Sequence, residues 1–116
     1  MIMSAEQTAR RCVPIGLENA SFICDYAERA LPRLCREGLA PDVLLLDPPR
    51  RGCDRAVLDA AIQSGVPRIV YVSCDPATQA RDAAILAEAD YRIRDVQGVD
   101  MFCQTPHVET VCHFIR

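Results

Sequence analysis

Short apolar runs in this chain alternate with segments whose apolar residues recur every three or four positions. These are the periods of buried strands and amphipathic helices. Arg68-Ile69-Val70-Tyr71-Val72 reads as a buried strand, with Ser73 and Cys74 at its end. Asp42-Val43-Leu44-Leu45-Leu46-Asp47 is a near-continuous apolar run closed by a carboxylate. Such runs suit a central parallel strand covered on both faces. Helical spacing marks residues 3–13, with Ala5, Ala9 and Cys12 on one side. It returns at about 26–36 through Ala27, Ala30, Leu31 and Leu34, and Gly38 and Pro41 close that helix. Asp54 can cap a third helix to about residue 64, with Ala56, Val57, Ala60 and Ala61 inward. A fourth runs from Pro76 to about Glu88, and Ala77, Ala80, Ala84 and Ala87 predict its packing face. Short strands are expected at 21–24, after Gly16 and Asn19, and at 91–99. An irregular loop over 100–106 precedes a last strand over 108–115.

This order predicts an α/β fold whose sheet is mostly parallel, with a final antiparallel strand. Ligands of open α/β sheets gather beyond the carboxyl ends of the strands. Asp47 and Cys74 end two such strands. An antiparallel last strand begins at the same edge, which brings Glu109 there too. Asp75 and Pro76 are suited to the N-cap and first position of the helix after Cys74. Cys74 is then held on a rigid turn near the positive end of a helix dipole. That setting favours the nucleophilic thiolate.

Composition narrows the class. The chain has 116 residues, half of them apolar, enough for one domain with a modest core. Its net charge is −3 and its pI about 5.3, so it is no basic nucleic-acid module by bulk charge. Any grip on RNA must come from a local patch or from chain outside this sequence. No apolar run is long enough to span a membrane. The start lacks the charged-then-apolar pattern of a secretory signal, so a cytoplasmic location is expected. The seven cysteines are odd in number and form no Cys-x-x-Cys, which favours reduced, buried thiols over a disulfide framework. Cys103 with His107, and Cys112 with His113, belong to no four-ligand pattern, so no metal site is expected.

Taken singly, the candidate residues have ordinary readings. A strand-end cysteine is usually a small buried hydrophobe. Glu109 could be a solvated edge carboxylate, Asp47 a turn cap, and Arg50, Arg51 and Arg81 surface charges. Three blocks change that weighting. They are Asp47-Pro48-Pro49-Arg50-Arg51-Gly52, then Ser73-Cys74-Asp75-Pro76-Ala77-Thr78-Gln79-Ala80-Arg81-Asp82, then Asp100-Met101-Phe102-Cys103-Gln104-Thr105-Pro106-His107-Val108-Glu109. In this order they resemble the RNA uracil-C5 methyltransferases that use S-adenosyl-L-methionine. Gly16-Leu17-Glu18-Asn19-Ala20-Ser21-Phe22 is similar to that family's lead-in to its third strand, so the likeness covers almost the whole chain. Asp75 stands where the family often has asparagine; both residues cap helices well.

The resemblance implies the C-terminal half of a class I, Rossmann-like methyltransferase fold, with residues 1–116 forming part of a catalytic domain. It implies Cys74 as a nucleophile that adds to uracil C6 and Glu109 as the base that removes the C5 proton. Asp47 corresponds to a residue at the junction of cofactor and target base, and Tyr26 to a position near the adenine that is often small and polar. Arg50, Arg51 and Arg81 become candidates for phosphate contacts in ribosomal or transfer RNA. The family's glycine-rich cofactor loop, N-terminal RNA-binding barrel and, in some members, iron–sulfur cluster have no counterpart in these 116 residues. The five glycines are scattered at 16, 38, 52, 65 and 98. The isolated chain is therefore expected to be nearly inactive, and an open sheet edge would be left exposed, re-paired or covered by a homodimer.

Two other classes fit parts of the pattern. Nucleic-acid amino-methyltransferases also use Asp-Pro-Pro, but place an aromatic after the prolines where Arg50 stands here, and need no nucleophilic cysteine. A non-catalytic binding or dimerisation module is the other; the retention of Cys74 with Glu109 weighs against it.

Overall fold

The computed structural model describes residues 18–100 and 108–116. The expected helix at 3–13, the lead-in at 16–17 and positions 101–107 of the third block lie outside the described residues. The elements are α1 (Ala27–Arg36), β1 (Leu44–Leu46), α2 (Arg55–Ser64), β2 (Arg68–Ser73), α3 (Pro76–Glu88), β3 (Arg92–Val99) and β4 (Glu109–Ile115). One sheet has the order β1-β2-β4-β3. β1 is parallel to β2, and β4 is antiparallel to both β2 and β3. Three strands thus run one way and β4 alone opposes them, as the pattern predicts.

Local chemistry sets the helix ends. The Asp54 side chain accepts from the Ala56 N–H at 2.9 Å and starts α2. Gly65, at φ 69°, ends it in the left-handed region, where a Cβ is costly. Asp75 caps α3 by accepting from the Ala77 and Thr78 amides at 2.9 and 3.2 Å, with Pro76 in the first turn. The aspartate therefore does the capping that an asparagine would do.

The core lies between one face of the sheet and helices α2 and α3. Leu46, Tyr71 and Cys112 line up across three strands, and Ile69 faces Phe114. Val57, Leu58, Ala61 and Leu86 from the helices close over them, joined by Val66 and Tyr91. The Tyr91 hydroxyl donates to the Val66 carbonyl at 2.7 Å, which satisfies it inside. Alternate residues Ile69, Tyr71 and Ser73 of β2 point into this layer, the period-two pattern of a pleated strand.

Four expectations need correction. Residues 21–24 form no strand and are exposed. An extended segment becomes a strand only when its amides and carbonyls find a ladder, and none of the described strands runs beside this one. Cys24 is exposed with it, and only Cys112 among the described cysteines is buried. The 42–47 run yields a strand of three residues at the end of the sheet order, not a strand covered on both faces. Leu45 is 66% exposed because the helices cover the face of Leu44 and Leu46. Finally, Ala77, Ala80, Ala84 and Ala87 of α3 face outward. The inward face carries Gln79, Asp82 and Leu86. The two polar residues are admitted because each is hydrogen-bonded inside.

Candidate active site

Sheet register gathers the three chemical residues at one edge. Leu46, the last residue of β1, pairs with Tyr71, so Asp47 leaves the sheet level with Val72. Ser73, the last residue of β2, pairs with Thr110. One step past that pair stand Cys74 on one side and Glu109, the first residue of β4, on the other. The edge predicted from topology is therefore present.

Cys74 is half-buried in a turn bonded on both sides. The Ser73 hydroxyl donates to the Asp75 carbonyl at 2.8 Å and accepts from the Asp75 amide at 3.0 Å. One residue on, Asp75 is fixed by its capping bonds. Below the turn the buried Gln79 amide donates to the Tyr71 carbonyl at 3.2 Å and the Thr110 carbonyl at 3.1 Å. Gln79 thus staples β2 to β4 directly beneath Cys74 and Glu109.

Asp47 is exposed and lines a cleft of about 260 Å³ with Glu28, Leu45, Pro48, Pro49 and Val57. Tyr26 is outside that lining, although its neighbours Ala27 and Glu28 belong to it. The Tyr26 ring is exposed with the Arg29 guanidinium 5.4 Å from its centroid, and its carbonyl starts α1 by accepting from the Arg29 and Ala30 amides. Glu28 was missed in the sequence; its one signal there is a carboxylate in the first turn of a helix, which ordinarily serves the dipole.

The turn after Asp47 brings the three arginines into two settings. Arg51 borders both the Asp47 cleft and a second cleft of about 360 Å³, lined also by Arg55, Arg81 and Asp82. Arg81 is bonded within the chain: Nε and Nη2 donate to Asp82 Oδ1 at 2.9 and 2.8 Å, and Nη2 donates to the Arg51 carbonyl at 2.9 Å. The Arg50 carbonyl accepts from the Thr78 hydroxyl at 2.7 Å. Asp82 is fully buried, and its Oδ2 accepts from the Tyr71 hydroxyl at 2.6 Å and the Cys53 amide at 2.8 Å. Burial and the nearby carboxylate push the Tyr71 phenol well above its usual range. Burial pushes the Cys53 thiol up to about 11, so it is a protonated, unreactive thiol, in contrast to the role expected of Cys74. Among the described residues no group of three His, Cys, Asp or Glu side chains could hold a metal ion. No helix among them is long and apolar enough to cross a membrane.

The α/β sheet thus carries Cys74, Glu109 and the Asp-Pro-Pro carboxylate of Asp47 at one edge, the place where ligands of open α/β sheets gather. The profile of the tRNA (uracil-5-)-methyltransferase family matches residues 29–116, and the chain belongs to that family. It is 48% identical over 96 residues to an uncharacterized RNA methyltransferase of Clostridium acetobutylicum, covering 83% of this chain and 21% of that protein. It is 50% identical over 109 residues to one of Thermosynechococcus vestitus, covering 93% of this chain and 24% of the relative. The fold is similar to the crystal structure of Pyrococcus abyssi tRNA (uracil-54, C5)-methyltransferase in complex with S-adenosyl-L-homocysteine. There the TM-score is 0.79 and the identity 31%, over 96% of this chain and 26% of the other. The chain thus spans about a fifth to a quarter of the length of these relatives.

Proposed function

We propose that the protein carrying this chain methylates C5 of uridine in ribosomal or transfer RNA, through a covalent adduct on Cys74. The observation that carries the reading is the register that sets Cys74 beside Glu109 at the strand edge where Asp47 also emerges. The family's description and the Pyrococcus neighbour favour transfer RNA. An RNA substrate accords with a cytoplasmic location.

The residues present suit one side of an S-adenosyl-L-methionine site. The Asp47 cleft joins three carboxylates, Glu28, Asp47 and Asp54, with Arg51 at its border, to the apolar walls of Leu45, Pro48, Pro49 and Val57. That donor set matches a ligand with a cationic centre on an apolar body. Asp47 and Glu28 would hold it, and Tyr26 at the mouth of α1 is the further candidate. When bound, the cofactor supplies an electrophilic methyl group on a sulfonium.

The chain's own residues supply the rest. Cys74 Sγ, as thiolate, forms a bond to uracil C6, and the electron pair displaced from the C5–C6 double bond makes C5 nucleophilic. With the cofactor in place C5 would take the methyl group, the electron pair of the broken sulfur–carbon bond staying on sulfur. Glu109 then accepts the C5 proton, the double bond re-forms, and the C6–S bond breaks to return the thiolate. Arg50 and Arg51, on the turn after Asp47, would contact phosphates, with Arg81 holding that turn from behind. The 116-residue chain alone carries this chemical edge without a glycine-rich phosphate-type loop, so it should bind the cofactor weakly and turn over little. Among the described residues β1 has no strand on its outer side, and that edge is where two isolated chains would pair.

The test is trapping. In the full-length protein, RNA containing 5-fluorouracil should give a stable protein–RNA adduct, because fluorine cannot leave as a proton. Mass spectrometry should place the adduct on Cys74. A Cys74→Ala protein that still trapped this RNA would overturn the assignment.

A further inference from the structure

The turn that follows Asp47 is bonded to α3 on both sides of Gly52. Thr78 Oγ1 donates to the Arg50 carbonyl at 2.7 Å, and Arg81 Nη2 to the Arg51 carbonyl at 2.9 Å. The Cys53 amide donates to Asp82 Oδ2 at 2.8 Å. Gly52 lies between these anchors, and its amide closes the turn onto the Pro49 carbonyl at 2.9 Å. Its φ of +81° suits glycine, and a Cβ there would come within 2.5 Å of Arg81 Nη2 and 2.6 Å of Asp82 Oδ2. The approach is therefore as close as a backbone without a side chain permits.

One carboxylate organises the assembly. Asp82 has no exposure, receives Tyr71 from β2, Arg81 from its own helix and Cys53 from the turn, and leaves neither oxygen without a donor. A buried carboxylate is costly unless it is bonded in this way. The bonds run between the block that contains Asp47 and the helix that begins at the cap following Cys74. Cys53 packs against the core beside the turn, and these bonds fix the polar stretch 50–52 that carries no such anchor.

We infer that Thr78, Arg81 and Asp82 are positioning residues that lock the Asp47 turn in fixed register with the Cys74 turn. Its geometry stands alone; its consequence for turnover rests on the proposed methyl transfer. The lock makes the cofactor side and the nucleophile side of the edge one rigid unit, so that the methyl group and C5 meet without a search over loop conformations. Thr78 reaches the turn from the same helical turn that is capped by Asp75, and it is the shortest link between the two blocks.

Asp82→Ala would empty a buried site and could unfold the protein, so Thr78 and Gly52 give the cleaner test. Thr78→Val keeps the shape and removes the hydroxyl; Thr78→Ser restores it; Gly52→Ala adds the clashing carbon. Hydrogen exchange on the purified chain should show the Gly52 amide in Thr78→Val, and the Cys53 amide in both Thr78→Val and Gly52→Ala, exchanging about tenfold faster or more, with β2 and α2 unchanged. Thr78→Ser should match the wild type. In the full-length protein Thr78→Val should raise the KM for the methyl donor about fivefold or more at an unchanged melting temperature, and Thr78→Ser should recover it. Wild-type exchange at these amides in both altered proteins would overturn the lock. Faster exchange with unchanged KM and kcat would overturn its role in positioning. A wild-type full-length protein that transfers no methyl group would instead sink the proposed function, leaving the exchange result to decide the lock.

Discussion

β2 and β3 belong to one sheet and are built in opposite ways. β2 has a strand on each side, buries Ile69, Tyr71 and Ser73 under two helices, and ends in a turn bonded at every residue that flanks Cys74. Among the described strands β3 has one neighbour, β4, and all eight of its residues are exposed. Ile93 and Val96 lie open, the register slips between Ile93 and Asp95, and the strand carries Arg92, Arg94 and Asp95. Irregular register and charge are how an edge strand avoids pairing with strangers. The difference divides the proposed chemistry. Cys74 is placed by a network with several redundant supports. Glu109 opens β4, the strand that joins the two regions, and across from it stands Val99 of β3. On the proposed mechanism, addition to C6 would belong to the rigid side, and proton removal to the side that leans on the hairpin.

The largest effect that sharpens this division is at Glu109. Glu109→Gln in the full-length protein should slow turnover on the order of a hundredfold or more, the usual loss for a positioned base. Adduct formation on Cys74 should persist, so gel-shifted protein–RNA complex should accumulate. Normal turnover, or loss of the adduct, would break the division of labour. Next comes packing. Leu58 is fully buried against the β2 face, whereas Val96 of β3 is 58% exposed. Urea denaturation should find Leu58→Ala destabilised by about 2–5 kcal/mol and Val96→Ala by about 0.5 kcal/mol or less. Equal losses would mean that the hairpin is part of the same cooperative core, and the contrast would fail.

Much of the covered region was legible in the residues. Asp54, Gly65, Asp75 and Pro76 act at helix ends through chemistry local to a few positions, so their roles need no tertiary information. The strand-edge meeting of Asp47, Cys74 and Glu109 followed from strand order alone. The misreadings have one physical root. Hydrophobic pattern records what leaves water, not what bonds inside. Ala77, Ala80, Ala84 and Ala87 offered a clean small-residue stripe, whereas Gln79 and Asp82 are the residues that α3 buries. Their burial depends on partners 8 to 31 residues away, at the Tyr71 and Thr110 carbonyls, the Tyr71 hydroxyl and the Cys53 amide. Leu45 misled in the same way, because an apolar residue reports a tendency and not the presence of a covering element. Glu28 went unread because nothing local distinguishes a first-turn carboxylate that lines a cleft from one that only serves the helix dipole.

The smallest expected effect separates the two regions by pH. Cys53 packs against the covered side, where burial, reinforced by Asp82 and opposed by Tyr71 and Arg81, raises its thiol to about 11. In the unfolded chain a cysteine titrates near about 8.5. Below that value both states hold the proton and the Cys53 contribution to stability is fully present. Above it the unfolded state binds fewer protons than the folded one, so stability falls with rising pH until the folded thiol ionises near 11. Tyr71, also raised, and Cys112, raised by burial, act with the same sign. They are common to wild type and to a Cys53→Ser variant, so the comparison isolates one thiol. Between pH 8 and 10 the variant should lose less stability than the wild type in urea denaturation, with the two curves parallel below pH 8. A matching pair of slopes would show that Cys53 titrates as it does in water, and that this corner of the β2 side is as open as β3.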